Sequence, residues 1–396
     1  MESDLQIFSS KYFGSTDAID FQAWLRLNTV FAASESKKHP RYDEEGFSHV
    51  PLLLFKINRF AIKNLLGFIH FKQPLTLLNQ PFIDEALQLF RKQSSENELY
   101  KHFIQSLAVD PATVCALDDI PFLPISFFKT HEVKTGNFQP EKCFESSGTT
   151  GMINSKHCIR NIDAYLENTV SIFRESYGDP AEYCFIGLLP SYLERGNSSL
   201  IVMADHFIKL SKHSSSGFFL NEFNKLHELL LELEAHAQPT ILMGVTFALL
   251  DFIESHPIQL KHTIVMETGG MKGRKKELTR DELHQLLKDG FGVHTIHAEY
   301  GMTELMSQAY SKGNGLYRSS SKLNILLRST DDPFEIWQED EHIMRVGVIN
   351  VIDLANIDSI GFIATDDLAR FTGNGEFELL GRVDSSDVRG CSLLTA

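Results

Sequence analysis

Residues 144–157 read FESSGTTGMINSKH. Within them Ser146, Ser147, Gly148, Thr149, Thr150 and Gly151 form an unbroken run of small residues, and Lys156 follows five positions later. Glycines let backbone N–H groups come close to a phosphate, and hydroxyls add further donors, so the run has the composition of a phosphate cradle. The GK[ST] ending of a Walker loop is missing, which excludes that motif. Taken alone, the run is better explained as a surface turn.

Four more polar stretches have residue types suited to nucleotide chemistry. ETGGMKGRKK (267–276) sets Gly269 and Gly270 before Lys272, Arg274, Lys275 and Lys276, a basic cluster in an acidic chain. A solvated loop and an anion contact explain it about equally well. In AEYGMTEL (298–305), Tyr300 can stack on a base and Glu304 can hold Mg²⁺, an ion usually bound by one or two carboxylates plus substrate phosphates. In ATDDLARF (364–371), Asp366 and Asp367 can accept bonds from ribose hydroxyls. Ordinary turn residues explain both stretches too. GRVDSSDVRG (381–390) pairs Arg382 with Asp384. His294 and His297 are three apart, so a strand would turn them to opposite faces and a zinc site there is disfavoured. There is no GxSxG elbow, which argues against an α/β-hydrolase.

The elements that must position these loops are legible as periodicity. FIDEALQLFRKQ and ELYKHFIQSLAV repeat apolar residues at helical spacing, and residues 1–110 are predicted to form a helical N-terminal region. PATVCALDDIPFLPISFFKTHEV is predicted to be an extended linker. Strand and helix then alternate from EYCFIGLLP (182–190) to GVHTIHAEYG (292–301), and TRDELHQLLKDG carries a capping box from Thr279 to Glu282. That alternation predicts an α/β core with a mostly parallel sheet over 111–315, where ligands sit at the carboxyl ends of strands. KLNILLRS, FEIWQ, MRVGVINVIDL, GFIATDDLARF and GEFELLGRV predict a β-rich subdomain over 316–380, followed by a short hinge and tail over 381–396.

Bulk properties narrow the class. At 43% hydrophobic and 22% charged residues, the composition is that of a soluble globular protein. Thirty Phe residues fit large apolar interiors, with an apolar ligand site as the second reading. A net charge of −15 disfavours broad nucleic-acid binding. The five cysteines, Cys115, Cys143, Cys158, Cys184 and Cys391, contain no CxxC pair, and their number is odd. The expectation is therefore a reducing, cytoplasmic setting without a disulfide framework. Residues 51–71 are the most apolar stretch, but Lys56, Arg59 and Lys63 interrupt it, so a helix lying on the core is expected rather than a membrane span.

The order SSGTTG, GG turn, EYGMTE, TDDL and GRVDSSDVRG resembles the motif series of adenylate-forming enzymes. Five short motifs in that order over 146–390 are far more specific than any one of them. Within that superfamily the chain looks most like LuxE-type acyl-protein synthetases, with phenylacetate–CoA ligases next. The features that point there are the helical N-terminus, IPFLPISFFKTHEV, the short chain, and Cys391 just after the hinge motif.

This resemblance implies ATP- and Mg²⁺-dependent activation of a carboxylic acid, most simply a long-chain fatty acid, to an acyl-adenylate, followed by transfer to a protein thiol. It implies that Ser146–Gly151 hold the ATP phosphates, that Gly269, Gly270 and Met271 line the adenine and acyl site, and that Tyr300, with Gly301 beside it, packs on adenine. Thr303 would contact the α-phosphate, Glu304 would bind Mg²⁺, Asp367 would bind ribose, and Arg382 would reach ribose or phosphate. Cys391 would accept the acyl group, for delivery to a reductase or carrier-protein partner; homo-oligomerisation is left open.

The sequence also departs from the pattern. Asp366 replaces a glycine common in the family, and Ser385 stands where a second aspartate is frequent. No residues remain for the lid domain that carries a lysine in most relatives, so the expected architecture lacks that lid, and Lys272 or Lys156 is the candidate replacement. An acyl- or aryl-CoA ligase is the runner-up, and a non-catalytic binding protein on a decayed adenylation fold is the alternative from another class.

Overall fold

The chain divides into two compact units, Met1–Leu77 and Leu78–Ala396. The computed structural model describes residues 80–146, 153–189, 197–220, 222–269, 278–339, 344–373 and 375–383, all within the second unit. The expectations for residues 1–79 therefore lie outside the described residues.

Helices α1 (Gln80–Glu96) and α2 (Glu98–Ser106) open this unit. Asn97 separates them because its side chain caps α2, accepting from the Tyr100 amide at 3.0 Å. The segment expected to be extended contains strand β1 (Leu123–Pro124) and one helical turn, α3 (Phe127–Thr130). Strands β2 (Lys142–Glu145) and β3 (Lys156–Ile159) form an antiparallel hairpin that pairs with no other described strand.

Helix α4 (Ile162–Tyr177) leads into an alternating layer: β4 (Cys184–Leu188), α5 (Ser199–Ser211), β5 (Gly217–Phe218), α6 (Phe223–Ala235), β6 (Thr240–Val245), α7 (Thr246–Ser255), β7 (Thr263–Thr268), α8 (Arg280–Phe291) and β8 (His297–Tyr300). The chain ends in an antiparallel run: β9 (Ala309–Ser311), β10 (Leu316–Arg318), β11 (Leu323–Arg328), β12 (Ile336–Trp337), β13 (Val346–Asp353), β14 (Phe362–Gly373) and β15 (Glu376–Arg382).

The α/β layer and the β-rich part share one sheet. Its order is β12-β11-β13-β14-β15-β10-β9-β8-β7-β6-β4-β5, with β1 added in parallel to β14. Pairing is parallel from β5 to β8 and antiparallel from β8 to β12. The reason is visible in the sequence. β4 and β6 are buried at every position, as parallel strands covered by helices on both faces must be. An extensive core lies there, built around Phe173, Phe185, Phe207, Phe252 and Phe291. Helix α8 starts on the expected Thr279–Glu282 box and stops at Gly292, whose φ of 63° is easily reached by glycine. Among the described residues, no helix is long and apolar enough to cross a membrane.

Candidate active site

The site is best built from its most constrained part, the turn after β8. Tyr300 ends that strand, and Gly301–Gln308 leads to β9. Asp353, at the end of β13, holds this turn from behind. Its Oδ2 accepts from the amides of Met306 at 2.8 Å and Ser307 at 3.1 Å. Its Oδ1 accepts from the Ser307 hydroxyl at 2.7 Å and from the Ala355 amide at 3.1 Å. Asp353 is fully buried. Burial raises its pKa to about 6 even though these four donors oppose the shift.

Asn356 holds the next piece of the turn, its side-chain amide donating to the Glu304 carbonyl at 2.9 Å. Gln93 of α1 supports Asn356 by donating to its carbonyl at 2.8 Å, so the first helix reaches the turn through one intermediary. Glu304 is 3% exposed, while Thr303 is half-buried and Gly301 exposed.

The hairpin arrives from the other side. Phe144 and His157 are cross-strand partners on its inward face and are fully buried, while Glu145 and Lys156 form an outer ion pair at 3.8 Å. His157 Nδ1 lies 2.9 Å from the Thr303 carbonyl, and its Nε2 lies 3.1 Å from Asn356 Oδ1. Burial pushes the His157 pKa down to about 4, so near neutral pH the ring carries one proton. With that proton on Nδ1, the ring donates to Thr303.

Ser146 closes the hairpin. Its amide donates to the Ser155 carbonyl at 3.0 Å, and its hydroxyl accepts from the Ser155 amide at 2.9 Å. Ser147, Gly148, Thr149, Thr150 and Gly151 lie outside the described residues, and so do Gly270, Met271, Lys272 and Cys391. Lys156, one candidate for the missing lysine, is paired with Glu145.

Cys143 and Cys158 are opposite each other in the hairpin and form a disulfide. This corrects the expectation of a chain without disulfides. The two cysteines are 15 residues apart and form no recognisable cysteine motif, and only the strand register makes them neighbours. The inference of a reducing compartment from cysteine spacing loses that support. The cross-link ties the two strands below the Ser/Gly loop, on the face away from Phe144.

A second group gathers at the junction of β8, β14 and β15. Asp367 and Arg382 are register partners, and Arg382 Nε donates to Asp367 Oδ1 at 2.7 Å. Tyr300 donates its hydroxyl to Asp367 Oδ2 at 3.0 Å. The neighbouring carboxylate raises the pKa of Arg382, and burial raises that of Tyr300 well above its usual value. The Tyr300 ring packs edge-on against Tyr317 and Phe377. Burial also raises Asp366, although the Arg328 guanidinium opposes it. Arg328 is itself buried and donates to the Ile349 carbonyl at 2.9 Å and to Asn350 Oδ1 at 2.7 Å.

At the ends of β7 and β8, Thr268 donates to Glu299 at 2.5 Å, and Thr246 donates to the Gly269 carbonyl at 2.6 Å and to Glu267 at 2.8 Å. A Cβ at Gly301 would lie 2.3 Å from Glu299 Oε1, so a side chain there would displace the Glu299 carboxylate. Burial raises Glu299 from 4.5 to about 7. The folded state therefore keeps a proton that the unfolded chain releases at lower pH. The stabilising contribution is complete below pH 4.5 and is lost as pH rises through about 7. Glu299→Gln is expected to gain up to about 3 kcal/mol over wild type near pH 8, with the gain vanishing toward pH 5. Thermal melts across that range check this, and a gain independent of pH would contradict it.

Thr303, Glu304 and Ser146 are thus joined through the hairpin, and Tyr300, Asp367 and Arg382 are joined directly. Sequence reasoning missed His157, Asn356, Asp353 and Glu299. None has a spacing signal; only the pairing of distant strands and turns brings them in.

The family model for acyl-protein synthetases matches residues 77–396, which puts the chain among the acid–thiol ligases. It belongs to the LuxE acyl-protein synthetase family. No curated protein sequence matches it. Among solved structures, it is similar to o-succinylbenzoate coenzyme A synthetase MenE from Bacillus subtilis, in complex with ATP and magnesium ion, at 15% identity and a TM-score of 0.44, over 78% of this chain and 65% of that one. It is also similar to the adenylation domain of a keto acid-selecting NRPS module bound to keto acyl adenylate, at 14% identity and 0.41, over 77% and 65%. A third is the amide bond synthetase McbA from Marinactinospora thermotolerans, at 14% identity and 0.36, over 58% and 46%. The chain spans less than two thirds of the length of each of these proteins.

Proposed function

We propose that this protein activates a carboxylic acid with ATP and Mg²⁺ and passes the acyl group to a protein thiol. The observation that carries this reading, beside the family, is the bridge between two loops far apart in sequence. His157, just beyond the Ser/Gly run, contacts the carbonyl of Thr303, 146 residues away, next to Glu304. The strand that follows the phosphate-type sequence is thus tied to the segment that carries a carboxylate, and a metal–triphosphate substrate needs both kinds of group.

In this reading Ser146–Gly151 hold the β- and γ-phosphates, Thr303 contacts the α-phosphate, and Glu304 binds Mg²⁺, which would neutralise phosphate charge. Asp367 takes the ribose hydroxyls, oriented by Arg382 and Tyr300. Gly269, Gly270 and Gly301 would line the nucleotide and acid site, and Lys272 would supply a cation for the two anions that must meet. A carboxylate oxygen attacks the α-phosphorus, the bond to pyrophosphate breaks, and pyrophosphate leaves. The Cys391 thiolate then attacks the acyl carbon and AMP leaves, giving a thioester. The substrate class is an apolar, fatty-type acid, and the final acceptor is a reductase or carrier protein.

The first test is nucleotide binding. A ligand at one hundred times its Kd stabilises the folded state by about 2.7 kcal/mol, a shift of several degrees in Tm. ATP with Mg²⁺ is expected to give such a shift. None from folded protein would count against the reading and favour a non-catalytic relative.

A further inference from the structure

We propose that His157 is a positioning residue for adenylation, holding the Thr303–Glu304 segment in the geometry the chemical step needs. The inference rests on the adenylation reading and goes beyond it, because His157 itself touches no substrate in this scheme.

Three observations carry it. His157 is 1% exposed, so neither ring nitrogen is answered by bulk water. Its two nitrogens face the Thr303 carbonyl at 2.9 Å and the Asn356 amide oxygen at 3.1 Å. Asn356 in turn donates to the Glu304 carbonyl at 2.9 Å, so the carbonyls of both residues are gripped by one connected pair of side chains.

The orientation of each partner follows. The Asn356 amide nitrogen is committed to Glu304, which leaves its oxygen facing the ring. The Thr303 carbonyl can only accept. Asn356 Oδ1 also only accepts, so one ring proton serves one of the two, and we assign it to the shorter contact, Nδ1 to Thr303 at 2.9 Å. Phe128 closes the ring edge-on at 5.7 Å and limits its rotation. The hairpin that carries His157 also carries Ser146, whose amide donates to the Ser155 carbonyl, so one element links Ser146 to the Thr303–Glu304 segment. A displacement of about 1 Å in such a constellation lowers a rate by about 10²-fold.

The test separates positioning from bulk stability by geometry. The amide nitrogen of Asn can replace Nδ1 of the ring, whereas that of Gln replaces Nε2. His157→Asn keeps the donor to Thr303, and His157→Gln loses it. The full-length wild type, both variants and His157→Ala would be compared in acid-dependent pyrophosphate–ATP exchange, with kcat, the KM for ATP and the acid, and the Mg²⁺ concentration giving half-maximal rate.

The expected result for His157→Gln and His157→Ala is a fall in kcat of about 10²-fold with a raised Mg²⁺ requirement and an unchanged KM for the acid. His157→Asn should recover most of the rate even if its Tm is as low as that of the Gln variant. If the Asn and Gln variants lose rate equally, or if the losses follow Tm alone, the positioning role is wrong. If His157→Ala fails to fold, the Asn and Gln pair still decides. Wild-type protein without exchange for any acid would overturn the adenylation reading and this role with it; exchange in wild type with no split between variants would overturn only the role.

Discussion

Glu304→Gln is expected to lower acid-dependent exchange of pyrophosphate into ATP by about 10²–10³-fold, with little change in Tm. The substitution keeps the shape of the side chain and removes only its charge. The backbone around it is held independently, by Asn356 on the Glu304 carbonyl and by Asp353 on the amides of Met306 and Ser307. Loss of rate in a protein that melts normally would therefore report on the carboxylate as a charge. Glu304 is also 3% exposed, so a second outcome is informative. A large fall in Tm with exchange preserved would make it a core residue and remove it from the site.

The second large effect is expected at Cys391. With a radiolabelled fatty acid, ATP and Mg²⁺, wild-type protein should retain label through denaturation, as a thioester must, and hydroxylamine should release it. Cys391→Ser should carry none, while its exchange rate stays that of wild type, because exchange needs only the first half-reaction. Arg389 lies two residues away and would favour the thiolate. Label that persists in the variant would move the acceptor elsewhere. Among the described residues Cys115 is exposed and Cys184 is buried, so Cys115 would be the next residue to test.

Much of this was legible before the fold. The strand Thr240–Val245 and the helix Thr246–Ser255 coincide with TILMGV and TFALLDFIES, because an apolar run and a helical repeat meet there without ambiguity. The box at Thr279 and Glu282 marks the start of α8, since its signal is local. What the sequence did not reveal is non-local. Nothing in HCIRN suggests that His157 faces Thr303 across 146 residues, or that Cys143 and Cys158 share a rung. The continuity of the sheet is equally hidden, because the pairing of β10 with β15 joins residues about 60 positions apart that no periodicity relates. The motif order pointed to Tyr300, Asp367 and Arg382, and the structure joins the three by hydrogen bonds. It could not show that Tyr300 donates to Asp367, since β8 and β14 are not neighbours in the sheet and no periodicity relates two residues 67 positions apart.

The central claim is that this chain makes an acyl-adenylate, and acid-dependent exchange of labelled pyrophosphate into ATP tests it most directly. Short, long and aromatic acids would be run side by side, with Glu304→Gln as the control. The account predicts exchange that requires an acid, is strongest for long-chain fatty acids, and is lost in the control. Folded wild-type protein that exchanges with no acid, or that exchanges equally well without one, would contradict it.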